Sequence, residues 1–300
     1  MKGMNLFRLF SALTLGTLVA STLYAQTQLA YWDFNESNPL DGTAMLAPEA
    51  GVFASVATIS INGATFSFNN SGSGFRGSPQ DPNNAGHPNP PNWGLQTTNY
   101  PAQGTANRTA GIVVSVPTTG YKDIVVKFDV RWSNTASKFI RFQYTTDGGA
   151  NWIDGVLLEG RRGDRWHGDT SANGGYDGLV VVDFTGNTAV ENNPDFAFRV
   201  VTEFDPATNQ YTAANFPNNP NANYSSQGTL RYDLIEILGT EIGGGIEGDV
   251  NGDGCVDDAD LLAVLFAFGS DTGGPEDVNS DGIVDDADLL IVLFNFGTGC

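Results

Sequence analysis

Between residues 26 and 240, apolar residues recur in short runs separated by turn-forming stretches, and the clearest runs alternate. Ile124, Val126, Phe128, Val130 and Trp132 share one parity, and so do Ile140, Phe142 and Tyr144 after Lys138. A period of two marks a strand with one buried face. Runs rich in Val, Ile, Phe, Tyr and Thr predict strands at Leu29–Phe34, Val52–Ile59, Ala64–Phe68, Ala110–Val116, Asp123–Trp132, Lys138–Thr145, Trp152–Leu158, Leu179–Phe184, Phe196–Thr202 and Leu230–Leu238. No helical period interrupts them. About ten strands in ~215 residues predict a mainly β protein, an antiparallel β-sandwich of jelly-roll type. Asn69–Asn107 and Asp205–Gln227 are rich in Asn, Pro, Gly, Ser and Gln and predict two long loops. Such loops in a compact domain are usually functional or disordered.

The pattern changes near the C-terminus. Residues 249–269 (DVNGDGCVDDADLLAVLFAFG) and 277–297 (DVNSDGIVDDADLLIVLFNFG) match at 17 of 21 positions with a period of 28. A repeat this close is one structural unit used twice. Leu261–Phe268 and Leu289–Phe296 predict helices with almost no polar face, so part of each helix forms a small core and the remainder either packs within the pair or is exposed as a patch for a partner. Charge sharpens the picture. Of a formal net charge of −20, thirteen acidic residues lie between Ile246 and Cys300, where there is no Lys or Arg. So much like charge in a small domain calls for counter-ions. Oxygen-bearing side chains fall at positions 1, 3, 5, 9 and 12 of each copy: Asp249, Asn251, Asp253, Asp257 and Asp260, then Asp277, Asn279, Asp281, Asp285 and Asp288. Position 6 is Gly254 or Gly282, and position 7, Cys255 or Ile283, offers a backbone carbonyl. This is the EF-hand loop spacing with Asp for Glu at position 12, and it suits calcium, a hard cation that takes six to eight oxygens.

A loop followed by a helix, twice, without a helix before either loop, resembles a type I dockerin over residues ~247–300. The resemblance implies two calcium ions, a pair of roughly antiparallel helices, and docking to an extracellular protein partner, cohesin-like or a second copy. The positions that centre partner recognition in that family are occupied here by Asp258–Ala259 and Asp286–Ala287. Cellulosomal dockerins usually carry Ser/Thr-type or apolar pairs there, with basic residues further along the helix. In the antiparallel arrangement the end of the second helix lies beside the first loop, which brings Cys255 and Cys300 within reach of a disulfide. Intermolecular linkage is the alternative. Export favours a bridge.

The first residues argue for export. Lys2 and Arg8 precede an apolar stretch from about Leu6 to Ala20, too short and too rich in Ser and Thr for a membrane span. The domain reading is a signal peptide over 1–25, a β-sandwich over 26–240, a Gly-rich linker over 241–247 and the calcium module over 248–300. No membrane span and no nucleic-acid partner are expected. Thr145–Trp152, TTDGGANW, resembles the Asp-box of sialidases, a structural hairpin turn, with Asp147 capping the turn and Trp152 packing beside it. Catalytic motifs are not evident, and Asp33, Asp129, Glu159, Asp164 and Glu203 are equal candidates for a carboxylate pair. Arg161, Arg162, Arg165 and Trp166, in RRGDRW, are the candidate ligand surface, since Arg forks and a Trp face suit sugars and carboxylates. The functional expectation is a secreted, non-catalytic protein whose sandwich binds or displays a ligand such as polysaccharide while the calcium module docks it. A self-assembling surface-layer or filament subunit and a polysaccharide hydrolase or lyase are the alternatives.

Overall fold

The computed structural model describes residues 26–35, 46–67, 77–82, 92–160, 165–167, 178–215, 221–242, 246–271, 274–279 and 281–300. The signal-peptide segment and residues 243–245 of the linker lie outside them. Twelve strands form two antiparallel sheets among the described residues: β1 (Thr27–Trp32), β2 (Thr58–Asn62), β3 (Thr65–Phe66), β4 (Leu95–Thr98), β5 (Gly111–Ser115), β6 (Tyr121–Trp132), β7 (Phe139–Thr145), β8 (Ile153–Glu159), β9 (Arg165–Trp166), β10 (Val180–Asp183), β11 (Ala197–Glu203) and β12 (Leu230–Glu241). The first sheet runs β10-β6-β12-β4-β3. Its long central strands serve two partners along one edge: β12 pairs β4 and then β1, and β6 pairs β10 and then β9. The second sheet runs β2-β5-β11-β7-β8.

The alternating residues named above meet between the sheets. Ile124, Val126, Phe128, Val130, Trp132, Ile140 and Phe142 are all buried, and Phe142 stacks between Phe128 and Phe198 with centroids 6.2 and 5.2 Å away. The structure is thus mainly β and sandwich-like, as the periodicity predicts. Two segments differ. Val52–Val56 is a turn, not a strand: Gly51 has φ +115°, Ala57 N donates to Phe53 O, and Val52 and Val56 project into solvent. β4 lies within the stretch expected to be loop, held by its pairing with Leu230–Tyr232 of β12.

A second, separate apolar cluster belongs to α1 (Asp258–Ala267) and α2 (Asp286–Asn295). Val250, Val256, Val264, Val284 and Val292 are its buried centre. Both helices begin three residues before the apolar run, because Asp257 and Asp285 cap them in reciprocal capping boxes with Asp260 and Asp288.

Candidate functional site

Of the four ligand-surface candidates in RRGDRW, Trp166 alone has a described side chain. Arg161, Arg162 and Asp164 lie outside the described residues. Arg165 and Trp166 form β9, paired to Trp132 and Arg131 of β6, and Trp166 is buried, so its ring offers no open stacking face. The candidate carboxylates are also committed elsewhere. Asp129 faces Asp233 across β6 and β12, and both are fully buried. Burial first, then the nearby Asp81 and Asp129, push the Asp233 carboxyl well above the usual range. Glu159 pairs with Lys138 at 2.7 Å. Asp33 accepts from Asn35 N at 3.0 Å. Glu203 is clamped by Arg141 through Nε at 2.6 Å and Nη2 at 2.9 Å, and by Arg108 Nη2 at 2.6 Å.

A pocket of about 420 Å³ opens instead where the loops after β4 and β11 meet the approach to β12. Local chemistry builds it. Asp205 turns the chain after β11: its carboxylate accepts from Ala207 N at 2.8 Å, Asn209 adopts φ +53°, and Asp205 bridges Gln210. The return directs Tyr211 inward, where its ring lies 4.6 Å from that of Phe204 edge-on and 4.6 Å from that of Tyr224 nearly parallel. Gln103 Nε2 donates to Tyr211 O at 2.7 Å, and the Tyr224 hydroxyl donates to Pro101 O at 2.6 Å. Burial, reinforced by the Tyr211 and Tyr100 phenols, raises the Tyr224 pKa and keeps that hydroxyl protonated. Thr212, Asn215 and Asn223 complete the wall. The buried Asn215 Oδ1 has no hydrogen-bond partner among the described residues. The described lining residues are therefore amide, hydroxyl, aromatic and alanine side chains, none of them charged. The sequence marked this stretch only as a long polar loop; the convergence of residues 103, 211–215 and 222–224 depends on strand order.

The Asp-box turn forms as its spacing implies. Asp147 Oδ1 accepts from Thr145 Oγ1 at 2.6 Å and Asn151 N at 2.9 Å, which hold its pKa down at about 2. Gly148 and Gly149 take φ +68° and +95°. The turn sets Trp152 beside the outer face of the second sheet, where Arg199 lies over its ring at 4.3 Å.

In the C-terminal repeats, each expected ligand sits in a tight loop. Asp249 accepts from Gly252 N at 3.0 Å and Gly254 N at 2.9 Å. Asp260, fully buried, accepts from Val250 N, Asn251 N and Asp257 N at 2.8 to 2.9 Å. The second loop repeats this: Asp277 accepts from Gly282 N at 2.9 Å, and buried Asp288 accepts from Asn279 N and Asp285 N at 3.0 and 2.9 Å. Burial opposes the Asp288 charge, but the backbone donors outweigh it and leave its pKa below the ordinary value. Asn251 and Asn279 donate to Asp253 and Asp281 at 3.0 Å. Among the described residues no three Asp, Glu, His or Cys side chains converge on one point. The donor set nevertheless fits a hard cation: every side-chain donor is oxygen, and Asp260 and Asp288 are buried in a segment without a single Lys or Arg.

The two repeats brace each other. Val256 N donates to Thr298 O at 2.9 Å and Gly297 N to Val256 O at 2.8 Å, while Val284 N donates to Ser270 O at 3.0 Å and Gly269 N to Val284 O at 2.7 Å. The end of each helix therefore lies against the other repeat's loop, and Cys255 and Cys300 form an intramolecular disulfide with Cα atoms 4.7 Å apart. Phe266 and Phe294 are 88% and 80% exposed, flanked by half-exposed Leu262, Leu265, Leu290 and Leu293. Asp258 and Ala259, like Asp286 and Ala287, occupy the first turn of each helix.

No protein family and no curated protein matches the sequence. Solved structures of similar fold include the N-terminal tandem of carbohydrate-binding modules CBM22-1 and CBM22-2 from Paenibacillus barcinonensis (11% identity, 74% of this chain, TM-score 0.36). The match spans about half, 52%, of that tandem chain. A carbohydrate-binding module described for specific mannan recognition, TmCBM27, matches with 11% identity over 72% of this chain and 98% of its own, TM-score 0.34. Domain 4 of AbnA, an extracellular arabinanase from Geobacillus stearothermophilus, in complex with arabinotriose, matches with 12% identity over 72% and 94%, TM-score 0.28.

Proposed function

We propose that this protein is a secreted glycan-binding β-sandwich carried on a calcium-stabilised, dockerin-like docking module. The pocket at Tyr211 and Tyr224 carries the binding half of the reading. Its volume lies in the range of small-ligand sites, and the half-buried Tyr224 ring, backed by buried Tyr211, suits an uncharged, hydroxyl-rich ligand together with Gln103, Thr212, Asn215 and Asn223. An amide or hydroxyl offers both donor and acceptor, as a sugar hydroxyl does. Tyr224→Ala should reduce retention in affinity gels cast with neutral polysaccharides by about tenfold, which corresponds to losing ~1.4 kcal/mol, compared at a temperature where both proteins are folded. Unchanged retention by every glycan that binds the wild type would remove the pocket from the reading.

The docking half rests on the repeated loops. Asp249, Asn251, Asp253, Asp257 and Asp260, with the carbonyl of Cys255, would hold one calcium ion, and Asp277, Asn279, Asp281, Asp285 and Asp288, with the carbonyl of Ile283, a second. Bound calcium would neutralise the loops and supply folding free energy. Calorimetric titration of the chelated protein should find two sites, and chelation should expose the helices to protease. The exposed Phe and Leu residues of α1 and α2, with Asp258–Ala259 and Asp286–Ala287 beside them, supply the partner surface. Their near-equal exposure in the two helices also favours self-assembly as a second reading. Light scattering with and without chelator separates the two: a calcium-dependent oligomer supports self-assembly, a monomer supports a distinct partner.

A further inference from the structure

The outer face of the second sheet holds a second, chemically different site. Register brings Ser60, Val113, Arg199, Gln143 and Asp154 into one row across β2, β5, β11, β7 and β8. The acidic groups of this face are already taken: Glu203 by Arg141 and Arg108, Asp154 by Arg108 at 2.8 Å and by Gln143 at 2.6 Å. Arg199 is left over. Its Nε donates to Gln143 Oε1 at 2.7 Å, and its guanidinium lies 4.3 Å from the Trp152 ring centroid. No described hydrogen bond or ion pair uses its two Nη amines. Next to it across β5 stand the short side chains Val113 and Ser60, so that side of the fork is open.

A guanidinium held at Nε and set over an indole ring is restricted in its rotation, so its two remaining amines are held as a pair. That pair matches two oxygens of a planar or tetrahedral oxyanion. On this surface Arg108 and Arg141 answer Asp154 and Glu203, and Lys138 answers Glu159, so Arg199 adds a cation without a contact ion pair among the described residues. We propose that Arg199, oriented by Trp152 and Gln143, binds the oxyanion of an acidic polysaccharide, a uronate carboxylate or a sulfate ester. The site is separate from the Tyr211–Tyr224 pocket and stands or falls without it.

Affinity electrophoresis tests it with three gels, containing polygalacturonate, dextran sulfate or neutral dextran. The wild type should be retarded by at least one acidic polymer and released by salt, and the polymer that retards it identifies the oxyanion. Arg199→Gln should weaken that retardation about tenfold, and Arg199→Lys by a similar factor, because an ammonium can neither fork nor stack. If Arg199→Gln lowers the melting temperature, Trp152→Phe is the second variant: it keeps an aromatic ring and should weaken binding about threefold through the poorer cation–π contact. No retardation of the wild type by either acidic polymer, or equal retardation of folded Arg199→Gln, overturns the proposal.

Discussion

Glu49 shows how one side chain sets a pH response. Its Oε2 accepts from Asp33 N at 3.2 Å, its buried Oε1 has no hydrogen-bond partner among the described residues, and burial together with the Asp33 charge raises its pKa to about 7. The unfolded chain releases that proton near pH ~4.3. The folded state therefore binds the extra proton between about pH 4 and 7, and stability from this group is full at the acid end and lost as pH rises through 7. Glu49→Gln should flatten this: the urea midpoint of the variant should gain on the wild type from pH 4 to pH 7. An identical pH profile for the two proteins would refute the assignment. Single residues were unevenly legible. Asp147 and Trp152 sit in a local motif whose geometry needs only eight consecutive residues. Arg199, Gln143 and Asp154 share a site only because β11, β7 and β8 are neighbours in a given register, and Trp166 looked available until β9 paired it onto β6.

At the scale of elements, close approach of backbones decides where small residues are needed. A Cβ on Gly111 would fall on the carbonyl oxygen of Val200 in the neighbouring strand. Gly111→Ala should therefore separate β5 from β11 and destabilise the sandwich by about 2 kcal/mol, read from the denaturation midpoint. In the helical module, Asp260 serves both as the reach-back residue of the first loop and as the reciprocal partner of the Asp257 cap. Asp260→Ala orphans the amides of Val250, Asn251 and Asp257, and should destabilise the module by about 2–4 kcal/mol, visible as faster amide exchange along α1. The alternating strands β6 and β7 were readable because one face is wholly apolar. β4, Leu-Gln-Thr-Thr, carries no such signal; its strand character comes from β12. The turn at 51–56 misled because Val52, Phe53 and Val56 have strand propensity, yet after the amides of Val52 and Phe53 donate to Gln28 O and Leu29 O of β1 the chain coils back on itself through Ala57 N to Phe53 O.

The described residues form two apolar clusters of very different size. The smaller centres on five buried valines, so the Cys255–Cys300 cross-link carries a large share of its stability, to which the proposed calcium ions would add. Replacing Cys255 and Cys300 by Ser should lower the module's stability by about 3–4 kcal/mol in the chain-entropy account, while the main melting transition of the sandwich stays in place. Scanning calorimetry checks both halves of that statement. The division into a β region and an acidic repeat was legible because period two gives way to a period of 28. The pocket was not, since it is assembled from two connections, β4–β5 and β11–β12, whose meeting point follows from sheet order.

The sulfur bridge also determines how the molecule bears a mechanical load. Cys255 lies in the first loop and Cys300 beyond α2, so both helices sit inside one closed covalent ring. Tension arriving from the sandwich through Ile246 reaches that ring after nine residues and meets a covalent joint there, not the hydrogen bonds of α1 and α2. Were the exposed phenylalanines gripped by a partner, a pull on the sandwich could peel the first loop only as far as Cys255. Under shear, the helices would stay folded while the segment before them stretched.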